Sequence, residues 1–150
     1  MDEQECNAVM ERTATDVLGA LSLKGFVYQG TVLRDGGYLV GKYCEASFEN
    51  RKAHRKIEIE YFPATTNRPD ALAVLVRAFV HDAFSVETYL KNHDRTDELD
   101  KFRISNYQGT LEQRQRSVLE NYRRFLEESI PDIVEGKHWE TFPFDWQGYK

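Results

Sequence analysis

The sequence predicts an α+β domain: about four antiparallel strands in a meander, with N-terminal and C-terminal helices packed on one sheet face. Three observations carry this. They are a helical apolar stripe over 3–22, strict alternation over 56–62, and a second helical stripe with its own capping signal over 110–129. The 150 residues suit one domain with a sizeable core. Hydrophobic residues make up 41% and aromatics 13%, which excludes a mainly disordered chain.

In the first helix, Cys6, Val9, Met10, Thr13, Val17, Ala20 and Leu21 recur at three- and four-residue steps, and Gly25 supplies the stop. FVYQGTVLR, residues 26–34, is rich in β-branched and aromatic types and reads as a strand. Asp35-Gly36-Gly37 then predicts a tight hairpin turn. Residues 38–49 return as a second strand, with Tyr38, Val40, Cys44, Ala46 and Phe48 on one face. NRKAHR, residues 50–55, is the next turn. In the third strand, 56–62, Ile57, Ile59 and Tyr61 alternate with Lys56, Glu58, Glu60 and Phe62, as a sheet with one wet face demands.

Residues 71–80, ALAVLVRAFV, suit either a strand or a helical stripe. The valine content and short run favour a strand, covered on both faces. Ser85 caps a short helix to about His93, with Val86, Tyr89 and Leu90 inward. Residues 94–109 are irregular, with one helical turn near 97–102. Thr110 and Gln113 form a capping-box pattern for the second long helix, which buries Leu111, Val118, Tyr122, Phe125, Leu126 and Ser129. Pro131 starts a further turn that Gly136 closes.

The net charge of −5 argues against a general nucleic-acid binder. No window approaches the roughly 18 apolar residues of a membrane span. The acidic N-terminus lacks an apolar signal region, so the expected address is the cytoplasm. Cys6 and Cys44 are the only cysteines and read as two reduced thiols used as small apolar residues.

No catalytic set emerges. His54, His81, His93 and His138 share no metal-ligand spacing. Nothing resembles a nucleophile elbow, and Gly36-Gly37 lies between strands rather than between a strand and a helix. Glu58 and Glu60 share a strand face about 7 Å apart and read as a solvated face. No cofactor or metal is expected. Two features suit a partner. The cations Arg51, Lys52, Arg55 and Lys56 crowd one hairpin tip, which suits an anionic group or acidic loop. The tail carries Trp139, Phe144 and Trp146, which either pack back on the sheet or form an interface, with packing back favoured.

The segments LKGFVYQGTVLRDGG, FSVETYLKNHD and IPDIVEGKHWETFPFDWQGYK, in this order, resemble small bacterial α+β proteins similar to immunity proteins of polymorphic and contact-dependent toxin systems. The resemblance implies a cytoplasmic protein that blocks a toxin domain by binding it, and assigns no site residue. The leading expectation is therefore a non-catalytic protein-binding domain. A small-ligand domain or enzyme is the alternative, with Tyr28, Tyr43, Tyr61 or His81 as polar handles in a pocket between sheet and helices. A homo-oligomer joined through the aromatic tail is the third.

Overall fold

The computed structural model describes residues 3–79 and 82–142. Helix α1 (Glu3–Val17) tightens into a 3-10 segment, Gly19–Lys24, and stops at Gly25 in the left-handed conformation. Five strands follow: β1 (Val27–Asp35), β2 (Lys42–Asn50), β3 (Arg55–Phe62), β4 (Ala71–Ala78) and β5 (Asp82–Ser85). They form one antiparallel meander in the order β1-β2-β3-β4-β5. The expected count was about four. The fifth strand is four residues long, too short to show alternation before the cap of the next helix.

The turn after β1 also differs. Tyr38 and Val40 lie not on a strand but in a single helical turn, α2 (Gly37–Val40). Gly37 and Gly41 both have positive φ, and the loop closes through the amide of Gly36 on the carbonyl of Gly41. Three glycines in six residues make this wider loop accessible.

Helix α3 (Val86–Asn92) starts on Ser85, whose side chain accepts from the Thr88 amide, and it buries Val86, Tyr89 and Leu90 as expected. Helix α4 (Leu111–Arg124) opens with both halves of the Thr110–Gln113 capping box and runs into a π-helical segment, Phe125–Ser129. Between them, Thr96–Phe102 and Ile104–Asn106 are 3-10 turns. Helix α5 (Pro131–Val134) follows.

The core lies between one sheet face and the helices. Cys44, Ala46 and Phe48 of β2, Ile57, Ile59 and Tyr61 of β3, and Leu72, Val74 and Val76 of β4 meet Met10, Ala14, Val118, Leu119 and Leu126 there. In β4 the alternate residues Ala71, Ala73, Leu75 and Arg77 are not buried, so this strand is covered on one face rather than two. A buried polar tie joins the long helices, Thr13 donating to Gln115 at 2.7 Å. The expectation of two separate thiols is corrected: Cys6 and Cys44 form a disulfide between α1 and β2, with Cα atoms 6.2 Å apart. Spacing along the chain gives no hint of this pair, because helix packing alone brings the two residues together. No helix among the described residues is long and apolar enough to cross a membrane.

Candidate functional site

The structure divides the cationic hairpin tip. Arg51 and Lys52 are exposed, and Lys56 is half-buried on β3. Arg55 turns inward and is buried. Its guanidinium donates to the carbonyls of Ile133 at 2.7 Å, His138 at 3.0 Å and His54 at 3.1 Å. It also lies 4.8 Å from the centre of the Trp139 ring. Gly136 makes this approach feasible: a Cβ there would sit 2.6 Å from the Ala53 carbonyl oxygen. Arg55 thus joins the tip to the chain after α5, and its donors are used within the fold. Arg51 leans on Glu49, and Lys24, which borders the same surface as Arg51 and Lys52, pairs with Glu135. The tip offers an anion fewer free donors than its sequence suggests.

The described part of the tail packs back. The Trp139 indole donates to Asp82 at 3.2 Å, and the rings of Trp139 and Phe142 lie 5.2 and 5.1 Å from Phe84. His93, stacked on Tyr89, meets Glu140 at 2.7 Å. Phe144 and Trp146 lie outside the described residues, as does His81.

The opposite sheet face carries a different chemistry, with Glu45, Ser47 and Glu58 buried on it and Glu60 half-buried. Register places Glu45 of β2 directly opposite Glu60 of β3, with Glu58 opposite Ser47 and Leu75. Like charges directly across an antiparallel pair repel. Glu45 and Glu58 are buried by their neighbours, and each meets one guanidinium, from Arg34 and Arg77 respectively. Glu60 has no ion-pair partner among the described residues. Partial burial, then Glu45 and Glu58, hold its pKa above the usual carboxylate value. At the end of this face Tyr43 stacks on Phe62, ring centres 4.9 Å apart. Burial and the nearby carboxylates Glu60 and Glu45 raise the Tyr43 pKa. Beyond lies the α2 turn, where Tyr38 and Leu39 are 102% and 87% exposed.

The third feature is a hollow of about 400 Å³. It lies beside Ala71–Val74, the part of β4 that β5 does not reach, because pairing with β5 begins only at Leu75. Its walls include Phe62, Leu72, Val74, Leu90, Phe102 and Ile104, and its rim carries Arg68, Glu87 and Arg103. Asp70 also borders it, but that carboxylate is committed to Tyr61 at 2.9 Å and Arg114 at 2.8 Å. Burial raises the Tyr61 pKa strongly, and the Asp70 hydrogen bond adds to it. Of the tyrosines expected as handles, none lines the hollow: Tyr61 is bonded to Asp70, Tyr43 stacks on Phe62 and Tyr28 is bonded to Thr31.

Sequence reasoning expected a pocket between sheet and helices but named none of the residues that line this one, and it missed the opposed glutamates. The Glu58/Glu60 alternation is the advance signal of the glutamates. Among the described residues, no group of three or more His, Cys, Asp or Glu side chains is placed to hold a metal ion. Comparison with family models, curated proteins and solved structures finds no match for this chain.

Proposed function

We infer that this chain is a non-catalytic protein-binding domain that takes a basic partner on its open sheet face, in the manner of an immunity protein holding a basic toxin domain. The observation that carries this reading is the directly opposed pair Glu45 and Glu60, with Glu58 beside it and only two guanidiniums to offset three carboxylates. A sequence that breaks a local pairing rule with only partial compensation inside its own fold, here from Arg34 and Arg77, points to a use outside it. A partner's lysine or arginine supplies the missing cation, and complementary fields of this kind set encounter rate and choice of partner. The net charge of −5 favours the same sign of partner. Tyr38 and Leu39 supply exposed apolar surface of the kind that anchors interfaces.

The test is an amide chemical-shift titration with an oligoarginine peptide at low and physiological salt. Shifts centred on Glu45, Glu58, Glu60 and Leu75, lost in Glu60→Gln and weakened by salt, support the reading. Shifts confined to the helical side, or none, overturn it. The immunity reading has its own test: co-expression with a basic toxic domain encoded beside this chain. Failure to bind and neutralise that domain defeats the immunity assignment.

A further inference from the structure

We propose that the hollow beside β4 binds a small amphipathic anion, an apolar chain or ring system carrying one carboxylate. The walls argue for the apolar part. Leu72, Val74, Leu90 and Ile104 back the space from the core, and the half-buried Phe62 and Leu99 present apolar surface to it. The Tyr122 hydroxyl is spent on the Leu72 carbonyl at 3.0 Å, so the floor offers no free polar handle. A volume of about 400 Å³ falls within the range of small-molecule sites.

The rim argues for the anion. Four charged residues surround the opening: Arg68, Asp70, Glu87 and Arg103. The negative ones are answered, Asp70 by Arg114 and Glu87 by Lys91. Arg103 pairs with Asp100, and both side chains are mostly exposed. Arg68 spends one nitrogen on the Val40 carbonyl at 2.6 Å and meets no carboxylate among the described residues. The unbalanced charge at the mouth is therefore positive, and a carboxylate there accepts charge-assisted hydrogen bonds from a guanidinium. The same Tyr122 bond argues against an added peptide strand, because it occupies an edge carbonyl that such a strand needs.

This site stands apart from the open-face reading, and its test is separate. Decanoate below its micelle concentration is titrated into the full chain by calorimetry and by methyl shifts. One saturable site is expected, with shifts at Leu72, Val74, Leu90 and Ile104. Decanol, or decanoate against Arg68→Ala, binds about fivefold more weakly, as loss of one exposed charge-assisted contact implies. Leu99→Trp, from a half-buried wall position, abolishes binding. Glu60→Gln retains one saturable decanoate site. Absence of saturable binding to wild type, or shifts elsewhere, overturns the site even if the filling variant fails to fold. Equal binding of decanol and decanoate overturns the anionic class. Protection of the Ala71–Val74 amides by an extended peptide that displaces decanoate overturns it in favour of strand addition.

Discussion

Replacing Arg55 by methionine separates a cation that builds the fold from cations that face a partner. The change keeps the apolar stem over Trp139 and removes the guanidinium. The buried bond to Ile133 at 2.7 Å is a charge-assisted one, and such bonds contribute about 1.5–3 kcal/mol. The 3.0 Å bond to His138 is partly exposed and adds about 1 kcal/mol. Stacking on Trp139 contributes up to about 1 kcal/mol, part of which the methionine sulfur recovers. These terms are not additive, so the expected loss is about 2–4 kcal/mol. For a domain of this size that is a fall in Tm of about 5–15 °C. Urea unfolding followed by circular dichroism measures it. The paired control, Arg51→Ala with Lys52→Ala, alters two exposed side chains and changes stability by less than about 0.5 kcal/mol. If Arg55→Met unfolds within 1 kcal/mol of wild type, or the control is equally destabilised, the division of the tip into buried and exposed cations is wrong.

Glu60→Gln raises stability at pH 8 by about 0.2–1 kcal/mol, the cost of a like-charge pair across strands. Because the folded pKa of Glu60 is raised, its unfavourable contribution is absent at pH below about 4 and develops as pH rises through the raised value. The gain should thus shrink to nothing in acid, and a gain that persists at pH 3.5 contradicts the assignment. Reduction of the Cys6–Cys44 bridge, with 38 residues of sequence separation, lowers stability by up to about 4 kcal/mol on loop-closure arguments. Melting with and without reductant, beside a thiol titration in denaturant, checks it. Gly136→Ala sets a Cβ against the Ala53 carbonyl at a residue with φ of 82°, and a loss above about 1 kcal/mol in urea unfolding is expected.

What the sequence disclosed was local. The α4 start was legible because the Thr110–Gln113 box is a four-residue signal, and β3 because Ile57, Ile59 and Tyr61 alternate without interruption. Ser85 marked its helix for the same reason. What stayed hidden depends on residues distant in sequence. That Glu58 and Glu60 share a face follows from alternation, but the expected solvation of that face does not hold, since Glu58 is buried and Glu60 half-buried. That Glu60 faces Glu45 follows only from the register set by the turn over residues 51–54. Arg55 sits among three other basic residues within six positions, and nothing in the run says which of them turns inward. The hollow draws its walls from β3, β4, α3, the 3-10 turns and α4, so no single segment advertises it. Tyr38 and Val40 kept a strand-like period of two, yet the flanking glycines took the chain out of the sheet.

The open face and the hollow are neighbours, and that has a thermodynamic consequence. Phe62 lines the hollow and stacks on Tyr43, whose hydroxyl senses Glu45 and Glu60. Arg68 stands on the rim and holds the Val40 carbonyl of the exposed α2 turn. A carboxylate bound at Arg68 neutralises a positive charge at the edge of a surface that needs negative potential. Decanoate should therefore tighten oligoarginine binding, and by linkage oligoarginine must tighten decanoate binding by the same factor. The effect acts through a partly exposed charge, so about twofold is expected at low salt, and it fades as the screening length falls toward 8 Å at physiological ionic strength. Titrating each probe at fixed concentrations of the other measures both factors. Coupling of the opposite sign, or coupling indifferent to salt, would mean that the two sites communicate by displacing the Phe62–Tyr43 stack and not through the field of Arg68.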